Sequence, residues 1–265
     1  MRPIRSRLAL AAAATVGIMA LAGCSGGGSS DVVGPATTAS GSPGSTAVRL
    51  YAYSVPKSGF AKVIPAFQQT DAGRGVKIEE SYGASGDQSR KVEAGAPADV
   101  VTFSLEPDVT RLVKAGLVDA GWNSGPHQGI PFGSVVVIVV RKGNPKGIKT
   151  WDDLLKPGVD VVTPNPFSSG SAKWNLLAPY AATSHGGTDR AAGLAYVEAL
   201  VKDHIRVQPK SASEATETFL QGSGDVLLSY ENEALRSERA GDPVEHVLPE
   251  QTFKRSEEHT SELQS

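Results

Sequence analysis

The chain has 265 residues, with 26 Lys and Arg set against 28 Asp and Glu and a single cysteine, so it is close to neutral and can form no intrachain disulfide. Acids and bases are interspersed, and nothing resembles the basic stripe that nucleic-acid binding requires. Beyond one short apolar run near the N-terminus, no segment is long and apolar enough to span a membrane.

In chain order, the first predicted elements are an export signal and a tether. Arg2, Arg5 and Arg7 precede an apolar run over residues 8–22, which closes at Leu21-Ala22-Gly23-Cys24. A run of roughly 15 residues is short for a membrane span and normal for a signal peptide. Residues 1–23 are therefore expected to be a signal peptide. Leu-Ala-Gly-Cys resembles a bacterial lipobox, in which the cysteine is lipidated and becomes the new N-terminus, so Cys24 is the expected lipidation site. The alternative is an ordinary signal peptide with an incidental cysteine. Residues 24–47, rich in Gly, Ser, Thr and Pro, carry no helical or strand period and are expected to be a flexible tether.

Strands and helices then alternate. The first strand ends in Tyr51-Ala52-Tyr53-Ser54-Val55-Pro56, and the second in residues 81–88, which open a helix running to about Ala94. A third strand over 98–104 is followed by a helix over 106–115, with Val109, Leu112 and Val113 on one side and a stop at Gly116. Residues 135–140 are apolar throughout, as expected of a strand buried on both faces. Thr150-Trp151-Asp152-Asp153 is a capping-box-like start to a short helix ending by Pro157-Gly158. A strand over 159–162 leads through a loop to a helix-like run over 172–182, and a helix over 188–204 places Leu194, Val197 and Val201 on one stripe. Ser211-Ala212-Ser213-Glu214 is a further capping-box start, and residues 224–230 read as another strand. The alternation implies an α/β fold with mainly parallel sheets flanked by helices.

The loop Thr163-Pro164-Asn165-Pro166-Phe167-Ser168-Ser169-Gly170-Ser171 is the most informative segment. Its Ser-Gly-Ser cluster leaves unpaired amides and hydroxyls at a helix start, where the positive end of the helix dipole also points outward. The loop carries no Arg or Lys, so donors rather than a countercharge would hold an anion there, which points to a binding protein and not to a phosphoryl-transfer enzyme. In open α/β sheets ligands bind at the carboxyl ends of strands. The loops at 51–56, 81–88, 164–171 and 211–214 all lie there, with Tyr230 as a fifth contribution. Any one of them alone is an ordinary helix cap. Their repetition at strand ends favours a site.

Enzyme readings fare worse. Gly83-Ala84-Ser85-Gly86-Asp87 approaches a nucleophile elbow, but Asp87 stands where that motif needs Gly. His127, His185, His204 and His246 are scattered and lack metal-ligand spacing. No P-loop sequence occurs. Trp174 is expected to pack between helix and sheet.

Taken in order, SYGASGDQ (81–88), ADVVTFSLEPD (98–108), VRKGNP (140–145), VVTPNPFSSGSAKWN (161–175) and GDVLLSYENEA (224–234) resemble the sulfate/thiosulfate-binding proteins that serve ABC importers, and the likeness extends from about 48 to 249. The resemblance implies a two-lobed fold like that of the periplasmic binding proteins, of type II. It also implies capture of a dehydrated sulfate or thiosulfate without metal or cofactor, and delivery to ABC permease subunits by a monomer. It implies an exported, lipid-anchored protein on the outer face of the cytoplasmic membrane, with no catalytic residue. Molybdate is a runner-up ligand, and a lipid-anchored serine hydrolase using Ser85 is an alternative of another class.

Carried across, Ser85 and Gly86 match one lobe's donors, while Ser169, Gly170 and Ser171 match the other's. Ala212 matches a backbone donor, Tyr230 stands where well-known members have Trp, and Ser54 substitutes for a neighbouring acid replaced here by Val55. Sulfate is purely an acceptor, whereas hydrogen phosphate carries a proton that wants an acceptor. A pocket of donors therefore favours sulfate.

The lobes are expected at 48–133 and 134–245, with 246–254 returning to the first. Residues 255–265, RSEEHTSELQS, are also the translation of a common sequencing-adapter string and are expected to be adapter-derived. The first lobe is then expected to lack its last helices and to leave apolar surface exposed.

Overall fold

The computed structural model describes residues 46–255. The expected signal peptide, Cys24, nearly all of the tether and residues 256–265 lie outside the described residues. The first strand, β1 (Thr46–Tyr53), begins inside the stretch read as tether.

The first lobe is a three-stranded sheet in the order β2-β1-β3, where β2 is Val76–Gly83 and β3 is Val100–Thr102. Both neighbours run parallel to β1. Helices α1 (Lys57–Gln68), α2 (Ser85–Glu93) and α3 (Glu106–Lys114) follow the three strands in turn, as a parallel sheet requires. Val92, Phe103, Val109 and Leu112 form this lobe's core. α3 ends as expected, with Gly116 at φ +70°. By contrast α1 buries no residue, and Val63, Phe67, Val100 and Leu117 are exposed in this lobe.

The second lobe is a sheet in the order β6-β5-β7-β4-β8, with β9 (Lys254–Arg255) pairing β4 off that path. Its strands are β4 (Ser134–Arg141), β5 (Val161–Val162), β6 (Ile205–Val207), β7 (Val226–Tyr230) and β8 (Val244–Val247). As the unbroken apolar run predicts, β4 is buried on both faces. Val136, Ile138 and Val140 enter one core cluster, and Val137 and Val139 enter the other. The first cluster packs under α4 (Gly170–Thr183) and α5 (Arg190–Ala199), the second under α6 (Ala212–Leu220) and α7 (Glu231–Ala240). Tyr53 and Val55, from the end of β1, join the first of these clusters and tie the lobes together.

Three local details refine these expectations. The second sheet is mixed: β5 pairs in parallel with β6 and β7, but β4 runs antiparallel to β7, β8 and β9. The strand that enters from the first lobe thus arrives against the direction of its neighbours. The helix expected over 188–204 is α5 followed by a π-helical turn, Leu200–His204, and its buried stripe is Gly193, Tyr196 and Leu200. Leu194 and Val201 are exposed instead. The segment after Trp151 is a single 3-10 turn, Asp152–Leu155, and Asp153 caps it by accepting the Lys149 and Thr150 amides at 2.7 and 2.9 Å.

Residues 246–254, expected to lead back to the first lobe, begin within β8 and reach β9, which pairs with the start of β4.

Candidate functional site

The loop after β5 owes its shape to Asn165. Its Oδ1 accepts the Phe167 amide at 2.8 Å, and its carbonyl accepts the amides of Ser168 and Ser169 at 3.2 and 2.8 Å. This is a side-chain-closed turn, which Asn favours because its short amide mimics a backbone carbonyl. Asn175 then pins the following helix to the sheet by donating to Thr163 Oγ1 at 3.0 Å and to the Leu228 carbonyl at 2.7 Å. Together these bonds aim the start of α4 at the first lobe.

Between the lobes lies a small cavity lined by Tyr53, Ser54, Val55, Gly83, Ala84, Ser85, Ser104, Ser169, Ser171 and Ala212. No lining residue is charged. Three helix starts converge on it. Ala84 and Ser169 are the N-cap residues of α2 and α4, and neither side chain caps its helix. At α6 the Ser211 hydroxyl accepts the Glu214 amide at 3.3 Å. Each uncapped first turn presents amide donors, so the cavity's polarity comes from oriented peptide groups.

Of the residues singled out in the sequence, Ser54, Ser85, Ser169, Ser171 and Ala212 line this cavity. Gly86, Gly170 and Tyr230 stand one contact back, where the lobes meet. The Gly86 amide donates to the Ser168 carbonyl at 2.9 Å. A β-carbon at Gly170 would lie 2.7 Å from Ser104 Oγ. Tyr230 is buried, with its hydroxyl 3.2 Å from Ser104 Oγ. The same Ser104 accepts the Trp174 indole N–H on its carbonyl at 3.0 Å, so this indole bridges to the opposite lobe and does more than pack between helix and sheet. Arg90, paired with Asp87, completes the seam by donating to the Phe167 carbonyl at 3.1 Å.

Two residues escaped the sequence reading. Ser104 lies two residues past β3, at the strand end where ligands bind in such sheets, and no motif of its own marks it. Asp108 is a buried carboxylate whose Oδ2 accepts the Ser85 hydroxyl at 2.7 Å. Its position in α3 falls outside the strand-end loops, so no loop motif marks it.

The Ser85 hydroxyl therefore meets a carboxylate directly and not a histidine. His204 is bonded to the Val159 carbonyl, and His246 to Glu238. Among the described residues, no group of three or more His, Cys, Asp or Glu is gathered as metal ligands would be, and no helix is long and apolar enough to cross a membrane.

A two-lobed α/β molecule with helix starts converging on an uncharged, donor-rich cavity between its lobes has the architecture of a solute receptor. Residues 48–256 match the family described as bacterial extracellular solute-binding protein, and the chain belongs to that family. Members are non-enzymatic components of transport, which removes the serine hydrolase alternative. The chain is 40% identical over 250 residues to a sulfate-binding protein of Synechococcus elongatus, covering 92% of this chain and 69% of that one. It is 39% identical to a thiosulfate-binding protein of Pseudomonas aeruginosa, covering 69% of this chain and 56% of the other. Among solved structures, the sulfate-binding protein SubI of Mycobacterium tuberculosis is 61% identical, with a TM-score of 0.77, over 79% of this chain and 73% of that one.

Proposed function

We propose that this chain is the extracytoplasmic receptor of an ABC importer, which captures sulfate between its lobes and delivers it to permease subunits. Thiosulfate is the second ligand of the same class. The observation that carries the reading is the meeting of the α2, α4 and α6 starts at a cavity lined by serines and amides and by no charged side chain. A fully ionised tetrahedral anion is an acceptor on every face, and amides at helix starts are donors that need no countercharge. The likeness to sulfate- and thiosulfate-binding relatives supports the same choice.

In this reading Ser54, Ser85, Ser169, Ser171 and Ala212 face the anion. Gly86, Gly170 and Tyr230 serve it through the seam. The receptor acts as a monomer, held to the outer face of the membrane by a lipid on Cys24 after removal of residues 1–23.

The test is calorimetric titration of the full chain at pH 7 with sulfate, thiosulfate, molybdate and phosphate. Sulfate should bind at least about fivefold more tightly than phosphate, because an unpaired buried proton costs about 1–3 kcal/mol. Equal affinities for the two would sink the reading.

A further inference from the structure

Behind the cavity wall stands the Asp108 carboxylate, on α3 and 3% exposed. It accepts the Ser85 hydroxyl at 2.7 Å, and the Ser85 Oγ in turn accepts the Ser104 amide at 2.9 Å. A serine hydroxyl has a single proton and two lone pairs. That proton is directed into the first lobe, although Ser85 itself lines the cavity. The neighbouring Ser169 and Ser171 hydroxyls are bonded to each other at 2.8 Å, and the Ser104 hydroxyl lies 3.2 Å from that of Tyr230. Asp108 is fixed in its turn: Ser89 donates to its carbonyl at 2.6 Å, and Arg111 Nη1 approaches Oδ1 at 3.3 Å.

We propose that Asp108 is a specificity-determining positioning residue: by taking the Ser85 proton it withholds that hydroxyl from the ligand, so that α2 offers the anion its backbone donors alone. This inference depends on the oxyanion reading of the cavity given above. With its proton on Asp108 and one lone pair on the Ser104 amide, the Ser85 oxygen keeps one lone pair, which accepts the proton of hydrogen phosphate but offers a fully ionised anion no donor. Asp108 thus sets how sharply the site separates fully ionised anions from protonated ones.

Two substitutions return the Ser85 proton to the cavity, and both widen the selectivity. Asp108→Ala frees that proton to donate to a fully ionised anion, while the lone pair not used by the Ser104 amide is open to hydrogen phosphate with or without Asp108. The preference for sulfate over phosphate should therefore widen by about threefold. In Asp108→Asn the amide oxygen is drawn to Arg111 at the former Oδ1 position. The amide N–H₂ then faces Ser85, donates to it and turns its proton toward the cavity, so the preference should widen by about threefold. Neither change should appear in a Ser85→Ala background, where there is no hydroxyl to redirect.

Titrations of the full chain with sulfate and phosphate at pH 7 read all four proteins. Parallel changes in both affinities, or a selectivity change that persists without the Ser85 hydroxyl, would overturn the proposal. Should Asp108→Ala fail to fold, Asp108→Asn alone decides: an unchanged or narrowed preference overturns it. A wild-type chain that binds neither anion overturns the oxyanion reading itself, and this inference with it.

Discussion

A β-carbon at position 170 would lie 2.7 Å from Ser104 Oγ, 2.9 Å from Ser104 Cβ and 3.0 Å from Leu105 Cγ, all in the opposite lobe. One at position 86 would lie 2.9 Å from the Ser168 carbonyl oxygen. The family resemblance marks both glycines as anion donors. The structure gives them a further duty, since the lobes close only where no side chain intervenes. Neither glycine has positive φ, so alanine strains no backbone there. Gly170→Ala also restricts the unfolded chain, which stabilises a fold when the native conformation accepts it. The expected outcome is a melting temperature no lower than wild type in the absence of anion, with sulfate affinity reduced at least tenfold, about 1.4 kcal/mol. A loss of stability that matches the loss of affinity would mean the glycine serves the fold and not closure.

Among the elements, legibility followed how strongly a pattern excluded its alternatives. Six apolar residues in β4 leave only a doubly buried strand, and the structure divides them between two cores. The α5 stripe was displaced by one residue because Leu and Val outweigh Gly and Tyr in any apolar count. In the fold, Gly193 lets the Tyr180 ring approach and Tyr196 donates its hydroxyl to the Trp151 carbonyl, and these contacts set the buried face. Glu233, in the first turn of α7, is a case no pattern predicts, as it is 2% exposed with Arg236 Nη2 at 2.8 Å. Burial pushes its carboxyl above the ordinary glutamate range, and Arg236 offsets this only in part. Because the folded chain disfavours the charged form, the contribution of Glu233 to stability is greatest at low pH and declines as pH rises from the ordinary glutamate range through the raised folded value. Glu233→Gln keeps an oxygen for Arg236 and removes the decline. It should stabilise the chain at pH 7 and leave it unchanged near pH 4, read from paired denaturant melts. Destabilisation at pH 7 would show that the ion pair outweighs the burial cost.

For the whole molecule, strand–helix alternation makes the α/β class legible, and the family resemblance supplies the two lobes. The seam is not legible, because it joins atoms far apart in sequence: Gly86 to Ser168, Arg90 to Phe167, and Ser104 to both Tyr230 and Trp174. Ser85, Ser104, Ser169 and Ser171 are all buried, so an anion reaches them only when these bonds part. A ligand that contacts both lobes binds the closed arrangement better, and it shifts the population toward closure by that difference in affinity. Of the three tryptophans, Trp174 reports this motion. Its indole N–H crosses the seam, whereas Trp151 is bonded to the Gln251 carbonyl and Trp122 packs on the first lobe's core. Opening the seam exposes the Trp174 N–H to water, while closing returns it to the Ser104 carbonyl. Added sulfate should therefore shift tryptophan emission to shorter wavelength along a saturating curve whose midpoint matches the calorimetric affinity. Trp174→Phe should abolish the shift and weaken binding by about 0.5–1.5 kcal/mol, the net worth of the lost hydrogen bond. A shift that survives in Trp174→Phe would place the closing surface elsewhere and leave the seam as fixed packing between the lobes.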